Sequence, residues 1–128
     1  MFFAKLKGEG AALPPLASYC NIALAWLGGA LAIAVLVGLG DGMAMPLVLG
    51  SFGASCVLVF GFPDVPFSQP RNVVVGHFLS SLIGLAFLTL FGGHWWSLAL
   101  AVGTAIAAMM LTRTVHPPAG SNPVIIFL

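Results

Sequence analysis

The residues able to do chemistry sit in three short stretches of an otherwise apolar chain. The first is Gly50-Ser51-Phe52-Gly53-Ala54-Ser55. The second is Pro63-Asp64-Val65-Pro66-Phe67-Ser68-Gln69-Pro70-Arg71-Asn72. The third is Thr114-Val115-His116-Pro117-Pro118-Ala119-Gly120-Ser121-Asn122-Pro123. In each, glycine or proline loosens the backbone and small neutral donors accompany it. A helix that starts inside a membrane presents unpaired N–H groups and the positive end of its dipole. Glycine lets a ligand approach that backbone, and serine or asparagine adds donors. Such an end suits a small anion. It also avoids burying a lysine or arginine, which costs roughly 2.5–3.5 kcal/mol or more at a bilayer centre.

On this reading Ser51, Gly53, Ala54 and Ser55 form one interrupted end. Gly120, Ser121 and Asn122 form the other, opened by His116, Pro117 and Pro118. Arg71 and Asn72 stand at the mouth, where Arg71 either attracts anions or pairs with Asp64 in its own loop. His77, with Ser81 four residues on, marks a polar cavity or a helix-to-helix hydrogen bond. Protonated His116 would add charge to the site. The bland alternative is a set of kinks filled by packing, with serines bonding back to carbonyls. His77, His94, His116, Cys20 and Cys56 lack metal-ligand spacing, so no metal is expected, and no cofactor. Gly53-Ala54-Ser55 is not the Gly-x-Ser-x-Gly turn, and no nucleophile, base and orienter set is visible, so the chain does not read as an enzyme.

The elements that hold these stretches follow from composition. Apolar residues make up 60 % of the 128 and charged residues 5 %, against about a quarter charged in a soluble domain. The seven charged residues all fall between long apolar runs. That is the pattern of a polytopic membrane protein, and it excludes a soluble domain and a nucleic-acid-binding surface. Spans are expected over 18–39, 46–62, 73–91 and 95–111, with a fifth starting near Pro123. The runs lack the alternation of membrane strands, so helices are expected. The uncharged run 11–40 is too long for a signal h-region and is read as a retained first span. Cys20 and Cys56 fall at different depths and read as packing residues.

Lys5, Lys7, Arg71 and Arg113 all fall on one side of alternating spans, which makes that side, and the N-terminus, cytoplasmic. His94-Trp95-Trp96 then lies at the opposite interface. Small residues recur every fourth position: Ala30, Ala34 and Gly38; Gly76, Ser80 and Gly84; Ala99, Gly103 and Ala107. Such rows let helices approach closely, within a bundle or a homo-oligomer. Gly53-Ala54-Ser55-Cys56-Val57-Leu58-Val59-Phe60 is echoed by Gly120-Ser121-Asn122-Pro123-Val124-Ile125-Ile126-Phe127. The two would enter the membrane from opposite sides, as in an inverted repeat. The expected fold is all-α: a single domain over 1–128, a polytopic bundle of four transmembrane helices plus the start of a fifth, with broken or re-entrant segments.

At these stretches the chain resembles the HPP family of membrane proteins. The resemblance rests on His116-Pro117-Pro118-Ala119-Gly120, Ser51-Phe52-Gly53-Ala54-Ser55, Gln69-Pro70-Arg71-Asn72 and Gly76-His77, in order, from about Gly50 onward. It implies a small helical membrane domain of bacteria and plastid envelopes. Plant and cyanobacterial members are associated with nitrite transport, which makes nitrite the expected anion. The family pattern continues into a full last helix, so the helix that stops at Leu128 is read as incomplete. No Arg- and Ser-rich transit peptide precedes the first span, which favours a bacterial inner membrane. The competing expectation is a non-transporting membrane subunit or sensor that docks a partner through its polar loops.

Overall fold

A computed structural model describes residues 15–43 and 50–128 of the chain. Lys5, Lys7 and the expected opening of the second span, 46–49, lie outside the described residues. The described elements are α1 (Tyr19–Met43), α2 (Gly50–Cys56) with a π-helical turn Val57–Gly61, a 3-10 turn Pro66–Ser68, α3 (Pro70–Phe91), α4 (Trp95–Leu111), a 3-10 turn Pro117–Ser121 and α5 (Asn122–Phe127). All regular structure among the described residues is helical. Tyr19–Gly40 and Pro70–Phe91 are each 22 residues long with mean hydropathy of 2.4 and 2.1. At about 1.5 Å per residue each reaches about 33 Å, enough to cross a bilayer core of about 30 Å. Gly50–Gly61 and Trp95–Leu111 are apolar but shorter.

Burial runs opposite to that of a soluble protein. Among the described residues the buried apolar side chains are Ala101, Ala105, Met109, Pro118, Ala119 and Pro123, whereas the buried polar ones are Ser51, Ser55, Ser68, Asn72, Ser80, Ser97, Thr114, His116 and Asn122. Leucine, valine, phenylalanine and tryptophan cover the outside of every long helix. An apolar exterior around a polar interior is stable only where lipid replaces water. The chain is a membrane protein.

Helix α3 starts with Pro70 at its first position, where a missing N–H costs nothing and the fixed φ suits the helix. The expectation that the prolines keep Pro70–Asn72 out of helix is therefore corrected. Helix α3 ends at Gly92, whose φ of +80° lets the chain turn back towards α4. Helix α4 spans 95–111 as expected and lies against α3, with the Ser97 hydroxyl donating to the Phe87 carbonyl at 3.3 Å.

The small-residue rows sort differently from expectation. Helix α4 buries Ser97, Ala101, Ala105 and Met109, while Ala99, Gly103 and Ala107 stay exposed. Ala30, Ala34 and Gly38 of α1 are exposed too. Helix α1 instead meets the second segment through Gly28, where an added Cβ would fall 2.5 Å from the Phe60 ring. On α3 the buried row is Asn72, Gly76, Ser80 and Gly84. That row holds a segment that is not yet helix. Asn72 donates to the Val115 carbonyl (2.9 Å) and Ser80 to the Ala119 carbonyl (2.6 Å). A Cβ on Gly76 would fall 2.9 Å from His116 Cβ, and one on Gly84 2.9 Å from Pro123 Cα. Residues 114–123 thus descend along α3 from its first turn inward. The fifth element forms earlier than expected, as a 3-10 turn from Pro117 leading into α5 at Asn122.

Candidate functional site: a hydrogen-bonded polar chain beside an arginine cleft

Four side chains from three parts of the sequence meet where α2, α3 and the 114–122 segment converge. His116, 0 % exposed, places Nδ1 2.7 Å from the Phe67 carbonyl. A carbonyl can only accept, so Nδ1 carries the hydrogen and Nε2 of the neutral ring is an acceptor. Nε2 lies 2.8 Å from Ser55 Oγ, so the serine donates to it. The same oxygen lies 3.2 Å from His77 Nε2, and with its own hydrogen committed it accepts from that ring. His77 Nδ1 is then an acceptor, and Asn122 Nδ2 donates to it at 3.0 Å. One anchor, the Phe67 carbonyl, thereby fixes the direction of every bond from Asn122 through His77 and Ser55 to His116. The two imidazole rings lie 5.0 Å apart, tilted by 59°.

Asn122 Nδ2 also faces Ser81 Oγ (2.9 Å) and the His77 carbonyl (3.2 Å). The carbonyl excludes the flipped amide, because it would then oppose Oδ1. Oδ1 itself is buried and without a partner among the described residues, and so is Ser51 Oγ, one helical turn before Ser55. A buried unpaired acceptor costs about 1–3 kcal/mol. Two such atoms belong to one polar cluster, whereas most buried polar groups find a partner.

The chain backs onto an open cleft of about 620 Å³ lined by Pro66, Phe67, Gln69, Arg71, Asn72, Thr112, Arg113 and Val115. Arg71 donates through Nη2 to the Arg113 carbonyl at 2.9 Å, bringing both arginines to the same end of the α3–α4 pair. That contact replaces the expected partner Asp64, which is exposed. Arg113 holds a φ of +58°, a left-handed conformation rare outside glycine. It closes α4 by letting the Thr114 amide reach back to the Met109 carbonyl (2.9 Å). Phe67, Asn72 and Val115 belong both to the cleft wall and to the bonds that hold the buried chain.

The remaining expected residues lie elsewhere. Gly53 and Ala54 are exposed on the outer side of α2, and a Cβ on Gly53 would meet open space. Helix α2 is regular from Gly50 to Cys56 and widens only at Val57–Gly61, so the glycines and serines do not loosen it where expected. Pro117 is exposed and Pro118 buried. Gly120 is half-buried, and the Ser121 hydroxyl turns back to the Pro118 carbonyl at 2.7 Å. Sequence reasoning passed over Ser68, which donates to the Leu58 carbonyl (2.9 Å) beside the π turn. It also used Arg113 for orientation alone. Arg113 and Arg71 stand 42 residues apart, and nothing local in the sequence joins them.

The site is a polar junction of neutral donors and two imidazoles inside a helical membrane domain. The HPP transmembrane-region profile matches residues 14–128, and the chain belongs to that family. Two curated proteins of Dictyostelium discoideum, each described as a transmembrane protein, are similar to it. One is 35 % identical over 133 residues, covering 97 % of this chain and 47 % of the relative. The other is 37 % identical over 132 residues, covering 97 % of this chain and 42 % of the relative. The chain thus spans less than half the length of these relatives. No solved structure matches it.

Proposed function

We propose that the domain moves a small monovalent inorganic anion, nitrite foremost, across the membrane. The observation that carries this reading is the cleft with two arginines whose wall is hydrogen-bonded to a polar chain buried among apolar helices. Arg71, Arg113 and the first turn of α3, whose dipole end is positive, gather the anion. Ser51, Ser55, His77, His116 and Asn122 provide the neutral lining beyond. The cleft end is cytoplasmic by the positive-inside rule. Four spans and α5 frame the path. The second segment runs towards the cleft and α5 away from it, and the two meet at the polar chain, which supports an inverted repeat. The uncovered small-residue rows of α1 and α4 support self-association. A bacterial inner membrane remains our reading of location.

The test is flux of nitrite and nitrate into liposomes holding the purified protein. Uptake above that of protein-free vesicles is expected. It should fall sharply in Ser55→Leu or Asn122→Leu variants that remain monodisperse, because a bulky apolar group then fills the junction. Uptake by the purified wild type no faster than in empty vesicles would remove the transport reading and leave a non-transporting subunit.

A further inference from the structure

The direction of the buried hydrogen bonds has a chemical consequence. Each link from His77 to His116 has a hydrogen on one atom and a lone pair on the next, with no break. We propose that Ser55 joins His77 and His116 into a proton relay, so that the anion crosses together with a proton. This inference rests on the transport reading above and names the second ion.

A proton reaches His77 Nδ1, displacing the Asn122 amide, and a new N–H bond forms there. The His77 Nε2–H bond breaks and its proton passes to Ser55 Oγ. The serine's own proton passes to His116 Nε2. For the His116 Nδ1–H bond to break, water or the anion must enter from the cleft and replace the Phe67 carbonyl at that nitrogen, and it then takes the proton. No electrons change hands, and one proton enters for each that leaves. Rotation of the rings and the hydroxyl restores the first arrangement. Asn122 Oδ1, buried and unpaired beside the entry atom, is an acceptor waiting for an O–H. Water or the acid form of an oxyanion supplies one.

The surroundings of the histidines explain why proton and anion would travel together. From α2 the pair is faced by Ser55 and the Phe52 ring, whose centroid is 6.3 Å from that of His77. Helix α3 contributes Gly76, and a Cβ there would lie 3.5 Å from Met109 Sδ of α4. Asn122 comes from α5. Asp64 is exposed, Arg71 and Arg113 face the cleft, and no group of three or more His, Cys, Asp or Glu side chains forms among the described residues. Among the described residues no carboxylate pairs with the imidazoles, so a proton there lacks a fixed counter-charge from them, and a monovalent anion cancels it inside the low-dielectric core.

Ser55 could instead be read as a nucleophile with His116 as its base. The His77 N–H aimed at the same oxygen argues against that, since a hydrogen bond donated to one of its two lone pairs withdraws electron density and weakens it as a nucleophile.

Nitrate is the sharper probe, because its acid is too strong to carry a proton through lipid unaided. Proteoliposomes containing a pH-sensitive dye should acidify inside when nitrate enters down its gradient, with or without a potassium–valinomycin clamp. In Ser55→Ala the ratio of net uptake to exchange of labelled nitrate should fall roughly a hundredfold, the low end of what a positioned proton-transfer group contributes. Exchange needs no net proton movement, so it separates a broken relay from a broken fold. Ser55→Thr, which keeps the hydroxyl, should restore the ratio. An unchanged ratio in Ser55→Ala overturns the relay, as does wild-type nitrate exchange without lumen acidification. Wild-type vesicles that neither exchange nor take up the anion overturn the transport reading itself.

Discussion

A single methyl group at Gly76 tests whether the 114–123 segment is held by close backbone approach. The Cβ of Gly76→Ala would fall 2.9 Å from His116 Cβ and 3.0 Å from the Thr114 carbonyl oxygen. Neither neighbour is the loose end of a flexible side chain, so the segment itself must move by several tenths of an ångström. Overpacking of this kind costs about 1–3 kcal/mol. Alanine also favours helix over glycine by about 0.8–1.0 kcal/mol. Gly103→Ala isolates that gain, because Gly103 lies mid-helix in α4, exposed, with nothing within 4 Å of its added Cβ. The difference between the two variants is therefore the packing term alone. One to two kcal/mol of it would lower the folded-to-unfolded ratio by a factor of about 5–30. Denaturant titration of the purified protein in detergent, followed by far-ultraviolet circular dichroism, measures it. Gly76→Ala as stable as Gly103→Ala would refute the close seating of His116 on α3. Where the variant does fold, displaced His116 should lengthen the 2.8 Å bond to Ser55 and weaken acid-linked uptake.

Other substitutions probe separate contacts. Asn72→Leu leaves the Val115 carbonyl without its 2.9 Å partner, and the same titration should show a loss of about 1–3 kcal/mol. Ser80→Ala removes the bond to the Ala119 carbonyl and should cost about 1 kcal/mol. Arg113→Gly should separate stability from function. It relieves a left-handed backbone worth roughly 1–2 kcal/mol, yet removes a cation from the cleft, so the variant should be harder to unfold and slower in anion uptake. Arg71→Gln should slow uptake most at low ionic strength, with the difference from wild type shrinking as salt screens the charge; a salt-independent difference would mean Arg71 acts only through its bond to Arg113.

Much of the fold was legible because lipid imposes a simple composition rule. Helix α4 occupies the expected 95–111, since its apolar run is bounded by His94 and Arg113. Proline misled the reading at Pro70, where a residue that breaks a helix interior instead begins one. The packed row of α4 was misassigned by two positions. Alanine and glycine populate more than one of its faces, and which face packs is decided by what α3 offers opposite Ser97 and Met109. At the site, residue type alone singled out His77, His116, Ser55 and Asn122. Their partnership was not readable, because the bonds join positions 22, 45 and 61 residues apart and exist only once α2, α3 and the last segment have converged. The place of Arg113 at the cleft, beside Arg71, is not legible for the same reason.

The way residues 113–119 lean on α3 carries an implication for biogenesis. The carbonyls of Arg113, Val115 and Ala119 are satisfied by Arg71, Asn72 and Ser80, not by a helical ladder of their own. Hydrocarbon tolerates no such backbone alone, because each unpaired carbonyl there costs several kcal/mol. This stretch therefore has no independent route into lipid from an insertion machine. It can settle only against an α3 already threaded and correctly rotated, so the order of synthesis along the chain is also the order in which its pieces become soluble in the membrane.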